Sequence, residues 1–242
     1  MPKYFVTPDA VKENSIVIEG EDAKHIGTVM RAKVGEKLTV CDGYNRDYEC
    51  TIEEIEKNKV TLSIDSSAEC DVEPELKITL FQALPKADKM ELILQKCTEL
   101  GVTEFVPVAT ERAVVKLDKK DKAKKTERWQ KIVESAAKQS GRGVVPKVQE
   151  PVSFAEAVKM ASLLDGSIIP YELEEENGLK EFAKDFKGKT LGIFIGPEGG
   201  FTQSEVEKCL EAGFKSITLG KRILRTETAG MVTAAILIYE LG

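Results

Sequence analysis

Apolar and polar positions alternate in short runs over the first seventy residues, and then the rhythm changes. Ser15-Ile-Val-Ile18, Lys37-Leu-Thr-Val-Cys41, Tyr48-Glu-Cys-Thr-Ile52 and Lys59-Val-Thr-Leu-Ser-Ile64 are β-branched runs. Turn residues such as Asp42-Gly43 and Lys57-Asn58 break them. Close, regular spacing predicts a small β-barrel, with one helical stretch from Glu21 to Arg31 inside it. Asp71-Val-Glu-Pro-Glu75 reads as a joint. Beyond it, strands (Leu76–Phe81, Thr103–Val108, Ser167–Tyr171, Thr190–Ile195, Ser216–Leu219) alternate with helical patterns (Ala87–Leu100, Thr126–Ser140, Met231–Leu241). Two capping boxes, Ser153-Phe-Ala-Glu156 and Thr202-Gln-Ser-Glu205, open further helices. Alternation of this kind predicts an α/β domain with a mostly parallel sheet covered on both faces. The expected division is 1–72 and 73–242.

Composition narrows the class. With 42% hydrophobic and 31% charged residues the chain reads as an ordinary soluble protein, without a run long enough to span a membrane. Met1-Pro-Lys-Tyr-Phe-Val lacks a signal-peptide core, so a cytoplasmic location is expected. Five scattered cysteines without a C-x-x-C pair imply reduced thiols. A single histidine, His25, argues against a His-based triad or a multi-His metal site, and no metal is expected. The net charge of −6 is unevenly spread: residues 1–76 sum to −8, 77–147 to +7 and 148–242 to −5. A basic middle suits an RNA or phosphate surface, or equally a solvated lysine-rich helix.

Candidate chemistry concentrates in two loops, each following a strand. Gly196-Pro197-Glu198-Gly199-Gly200 follows Leu191-Gly-Ile-Phe-Ile195, and Gly220-Lys-Arg-Ile-Leu-Arg-Thr226 follows Ser216-Ile-Thr-Leu219. Ligands of open α/β sheets bind at that edge. Neither loop is a P-loop or a G-x-G-x-x-G fingerprint, and Glu198 would repel a phosphate. In the second loop Ile223 and Leu224 are apolar residues that need a partner, such as a flat ring or another chain. Arg225 and Glu227 would either pair with each other or face a substrate.

These same residues carry a resemblance. Gly196-Pro-Glu-Gly-Gly-Phe-Thr202 with Leu219-Gly-Lys-Arg-Ile-Leu-Arg-Thr-Glu-Thr-Ala229 resembles the signature of RsmE-type methyltransferases of the SPOUT superfamily. His25-Ile-Gly-Thr-Val-Met-Arg31, Ala83-Leu-Pro-Lys-Ala-Asp-Lys-Met-Glu91, Gln95–Gly101, Glu127–Trp129 and Glu134–Arg142 extend the resemblance over nearly the whole chain. It implies a PUA-like β-barrel followed by a SPOUT α/β domain with a deep trefoil knot. It also implies a homodimer, S-adenosylmethionine as cofactor, and N3 methylation of a uridine in 16S ribosomal RNA, free or in the small ribosomal subunit.

Carried over residue by residue, the resemblance makes Gly196, Pro197, Glu198, Gly199 and Gly200 one wall of the cofactor site. Leu219, Gly220, Ile223, Leu224, Arg225 and Thr226 make the other, and the end of the Ser167–Tyr171 strand adds a third contact. Arg225 is the expected substrate-facing catalytic residue, Glu227 its orienting partner, and Glu198 or Glu227 the proton acceptor. Lys86, Lys89, Arg112, Arg128, Lys131, Lys138 and Arg142 would hold phosphates, and Arg31 would extend the grip from the barrel. Two other readings compete: a non-catalytic RNA-binding protein on a SPOUT-like scaffold, and a nucleotide-binding α/β enzyme using the Gly196 loop.

Overall fold

The computed structural model describes residues 3–113 and 118–242. It divides the chain into two units, Met1–Glu73 with Ala137–Val145, and Pro74–Ala136 with Pro146–Gly242.

In the first unit, β1 (Lys3–Phe5), β2 (Ser15–Glu19), β3 (Lys37–Cys41), β4 (Arg46–Ile55) and β5 (Lys59–Glu69) form one sheet in the order β1-β3-β4-β5-β2. Register shifts at Glu49/Cys50 and Ile52/Glu54 bend the long β4–β5 pair, because a bulge adds a residue to one strand and increases its twist. The result is a curled half-barrel closed over Ile16, Ile18, Ile26, Val40, Ile52, Val60 and Leu62. Helical expectation over 21–31 is met by a short helix α1 (Gly20–Lys24) that runs into a π-turn, His25–Val29. Arg31 follows two residues beyond the turn, exposed and with φ +55°.

Residues 137–145 complete this unit. The Arg142 side chain, 5% exposed, forms a double-pronged pair with the Glu73 carboxylate, 4% exposed. Its Nε–H donates at 3.1 Å and its Nη2–H at 2.6 Å. Glu73 also accepts the Gly143 and Val144 N–H groups at 2.9 and 3.2 Å. Burial alone would raise this carboxyl, but the guanidinium and the two amides outweigh it and hold it below the ordinary range. The expectation that Arg142 grips phosphate is therefore corrected: its donors are committed inward, and almost none of its surface meets solvent.

The second unit is a parallel sheet in the order β12-β10-β11-β6-β7-β8. Its strands are β6 (Lys77–Ala83), β7 (Glu104–Ala109), β8 (Lys147–Val148), β10 (Gly166–Pro170), β11 (Thr190–Ile195) and β12 (Lys215–Ile217), with β9 (Val152–Ser153) pairing on β7. One face carries Phe81, Phe194, Phe154, Phe201 and Phe214 beneath α4 (Phe154–Ala161) and α6 (Gln203–Glu211). Phe81 and Phe194 stack at 4.5 Å between centroids. Both expected capping boxes are present, on Ser153 and Thr202. The opposite face is covered by α2 (Lys89–Glu99) and α7 (Thr226–Leu241), with α5 (Leu179–Asp185) packed on α7.

Two helices start earlier than their apolar patterns suggest. Helix α3 spans Lys119–Ser140 because Asp118 accepts the Asp121 N–H at 2.8 Å and caps it inside the lysine run. Helix α7 begins at Thr226, taking in the polar stretch before Met231. The five cysteines are free and buried. Among the described residues no helix is long and apolar enough to cross a membrane.

Candidate functional site

Five parallel strands deliver their following loops to one edge of the second sheet. β11 and β6 are neighbours, with Ile195 in register with Gln82, so the loop after β11 starts beside the end of β6. In that loop Gly200 has φ +66°, a left-handed conformation that costs glycine little, and its N–H closes a turn on the Pro197 carbonyl at 2.9 Å. Thr202 then caps α6.

Side chains from three distant segments hold this loop. Arg112 donates to the Gly199 carbonyl at 2.7 Å and to that of Phe201 at 3.3 Å. Thr226, at the first turn of α7, donates its hydroxyl to the Gly196 carbonyl at 2.6 Å. Glu198 accepts the Lys86 N–H at 3.1 Å and the Lys89 ammonium at 2.8 Å. Glu227 lies 3.7 Å from the same ammonium, and its Oε2 is buried without a hydrogen-bond partner. Partial burial works against the Glu198 charge, yet the bond from Lys89 and the backbone amides hold its carboxyl below the ordinary range. Lys89 is raised in turn, chiefly by its hydrogen bond to Glu198.

The second loop leaves β12 with the Thr218 N–H on the Asn177 carbonyl at 2.8 Å. Gly220 has φ +97° and open space where a side chain would be, so its backbone is approachable. Ile223 is 86% exposed, Leu224 is half-buried, and Leu219 is partly covered. Arg225 precedes α7 with its side chain exposed, and its charge is felt at Lys89.

The structure thus brings Gly196, Glu198, Thr226, Glu227, Lys86 and Lys89 into direct contact. Arg225 and Glu227 are not joined by an ion pair; the cation beside Glu227 is Lys89. Arg112 faces the loop backbone. Arg128 pairs with Glu91 at 2.5 Å, and Lys131 pairs with Glu127 at 3.0 Å along α3. In the first unit Lys138 pairs with Asp22 at 2.8 Å. Beyond the expected third contact at the end of β10, the Glu172 carboxylate stands 3.6 Å from where a Gly200 side chain would begin. An open groove of about 430 Å³ along α3, lined by Thr126, Gln130, Lys147 and Glu150 among others, lies away from both loops.

A buried site residue escaped the sequence reading as well. Gln82 is completely buried and donates to the Thr226 hydroxyl at 2.9 Å and to the Ala83 carbonyl at 3.0 Å. Its signal was an amide inside the apolar run Ile78-Thr-Leu-Phe-Gln-Ala83, since a buried amide needs partners.

Comparisons with known proteins agree along the chain. The RNA methyltransferase domain family matches residues 72–238, and the RNA methyltransferase PUA domain family matches 18–65. The ribosomal RNA small subunit methyltransferase E of Bacillus subtilis is 36% identical over 248 residues, covering 99% of this chain and 97% of the relative. That of Aquifex aeolicus is 32% identical over 228 residues, covering 93% and 94%. A crystal structure of ribosomal RNA small subunit methyltransferase E from Neisseria gonorrhoeae, bound to S-adenosyl methionine, superposes with a TM-score of 0.86 at 34% identity, covering 98% and 96%.

Proposed function

The chain belongs to the RNA methyltransferase family that includes the ribosomal RNA small subunit methyltransferases E, and from that membership we propose its reaction in full. It is an S-adenosylmethionine-dependent methyltransferase of 16S ribosomal RNA, and the position it modifies is N3 of a uridine. One observation carries the reading at residue level. At one sheet edge the Gly196 loop is pinned to α7, while the loop after β12 leaves Ile223 and the Gly220 backbone uncovered.

The residues fit the cofactor. An exposed aliphatic side chain and an approachable glycine backbone suit a flat adenine, and the Glu198 and Glu172 carboxylates suit a cationic ligand rather than a phosphate. Gly196, Pro197, Glu198, Gly199 and Gly200 would hold it from one side, and Leu219, Gly220, Ile223, Leu224, Arg225 and Thr226 from the other. When bound, S-adenosylmethionine supplies an already activated methyl group.

The chain's own task is to make uridine N3 reactive, since that nitrogen carries a proton. Arg225 stabilises the charge that develops on the base through O2 or O4. The Glu227 carboxylate accepts the N3 proton, directly or through a water, while Glu198 is already engaged by Lys86 and Lys89. Lys89 therefore moves from the phosphate-gripping set to the carboxylate pair. Arg31, Lys86, Arg128, Lys131 and Lys138 remain the proposed RNA contacts, Arg112 being committed to the Gly199 and Phe201 carbonyls, and the target base must leave its stack to enter the site.

The proposal includes an RNA-gripping module at 1–72, a catalytic module at 73–242, a trefoil knot in the latter, a cytoplasmic location and a homodimer. An apolar stripe along α7 supports the dimer: Ile236 is 39% and Tyr239 87% exposed. Leu92 of α2, which packs on α7, is 44% exposed. The test supplies methyl-labelled S-adenosylmethionine with either free 16S RNA or small subunits, followed by mass mapping. One methyl on the base of one uridine, missing from a deletion strain, is expected. Cofactor binding without transfer to either substrate, or a methyl on ribose, would overturn it.

A further inference from the structure

Thr226 sits at the join of the two loops, and its hydroxyl makes one hydrogen bond as donor and one as acceptor there. It gives its proton to the Gly196 carbonyl at 2.6 Å and receives one from the Gln82 amide at 2.9 Å. The second N–H of that amide goes to the Ala83 carbonyl at 3.0 Å, which fixes the amide's orientation: with oxygen and nitrogen exchanged, Ala83 would lose its donor. Gln82 is fully buried and Thr226 is 6% exposed, so water does not compete for these bonds. The three residues come from the end of β6, the loop after β11 and the first turn of α7, and sequence separations of 144 and 30 residues lie between the bonded pairs.

From this geometry we infer that Gln82 and Thr226 are positioning residues that set the spacing between the two walls of the cofactor site. The inference rests on the cofactor reading above and deepens it, because it removes the Thr226 side chain from the set of ligand contacts. The residue is buried, and its hydroxyl proton is already given to the Gly196 carbonyl. What the cofactor meets on that wall is backbone and aliphatic surface, held at a distance that the Gln82–Thr226–Gly196 relay defines. Ile195 lies in register with Gln82, so the strand pairing delivers Gly196 to the relay and the hydroxyl locks it there. A threonine hydroxyl supplies both the acceptor and the donor that the relay needs, and its burial makes either bond costly to leave unmade.

The test compares Thr226→Val, Thr226→Ser, Gln82→Met and the double variant Q82M/T226V. Measurements are S-adenosylmethionine affinity by calorimetry, kcat and KM for the cofactor, and thermal melting. Thr226→Val should raise Kd and the cofactor KM at least about tenfold, since it removes both buried hydrogen bonds and leaves the Gly196 carbonyl and a Gln82 N–H unpaired. Thr226→Ser should restore both to within about twofold, since it returns the hydroxyl without the methyl. The double variant should bind no more weakly than the worse single variant, because both changes cut one relay.

Wild-type affinity in the valine variant overturns the inference, as does a serine variant as weak as the valine, or penalties that multiply in the double. Should valine prevent folding, the serine variant together with Gln82→Asn, which keeps the amide but shortens its reach, decides the matter by the same affinity readout. A wild-type chain that fails to bind S-adenosylmethionine would instead refute the cofactor reading itself.

Discussion

Replacing Arg142 with methionine keeps most of the side-chain volume and removes the cation from a buried pair. The Glu73 carboxylate, 4% exposed, would then retain two backbone N–H donors and no counter-charge. Breaking a buried pair from one side typically costs about 3–5 kcal/mol, mostly the penalty of the charge left behind. The first unit has roughly eighty residues, and for a domain of that size each kcal/mol moves the melting point by about 4–8 °C. A drop of at least about 12 °C is expected by calorimetry, with faster hydrogen exchange in β3 to β5. The double variant E73Q/R142M should recover most of the loss: a neutral amide leaves no stranded charge, and its oxygen still accepts from Gly143 and Val144. RNA binding supplies an independent check. Each phosphate contact contributes about 0.9 to the slope of log affinity against log salt. Below its melting point Arg142→Met should leave that slope unchanged, whereas Arg31→Gln or Lys86→Gln should flatten it. A stable Arg142→Met protein with a flatter slope would refute the reasoning and return Arg142 to the RNA surface.

Arg225→Ala should abolish turnover while leaving S-adenosylmethionine affinity within a few-fold; a large loss of affinity by calorimetry would make holding the cofactor, not stabilising charge on the base, the main task of Arg225. Glu227→Gln should lower kcat far more than it changes cofactor KM, and equal kcat in the variant would exclude Glu227 as proton acceptor. The Glu73 carboxyl has a folded-state pKa below its ordinary 4.5, so its stabilising contribution is complete above that value and fades as pH falls through the lower one. Acid titration should therefore lower the melting temperature of the first unit progressively as pH falls below about 4.5, and that acid dependence should shrink in Arg142→Met. Charged replacement of Ile236 together with Tyr239 should yield monomers by light scattering, and an unaltered mass would remove α7 from the dimer interface.

Local signals in the chain were strong where one residue type had one physical use. Both capping boxes, the stop at Gly101 and the short β-branched runs of the first unit depend on neighbours within a few positions, and they fold as read. The family signature fell on two loops that the sheet topology does bring to one edge. What escaped depends on contacts across long separations. A lysine or arginine in a basic stretch looks the same whether it meets phosphate or a carboxylate. Arg142 turns inward to Glu73, Lys89 to Glu198, and Arg112 to loop carbonyls, because each lies opposite an acceptor 69, 109 or 87 residues away. Adjacency leaves Arg225 and Glu227 free either to pair or to face a substrate, and the cation that approaches Glu227 is Lys89. Two residues apart at a helix start the side chains diverge, since neighbours on a helix surface lie three or four positions apart.

Residues 137–145 have a consequence for the order in which the protein matures. Glu73 must wait for an arginine made 69 residues later. At ribosomal speeds of about 5–20 residues per second, that is a delay of roughly 3–14 s. Throughout it the first sheet can pair its strands, but its acidic cap has no cation and the strap that supplies the Gly143 and Val144 amides does not yet exist. Cys41 and Cys70, which border that strap, lack its cover for the same interval. By the time Arg142 arrives, β6, α2, β7 and α3 of the second unit have already been translated. The chain is therefore not two beads finished in series; its first module is sealed from within the synthesis of its second.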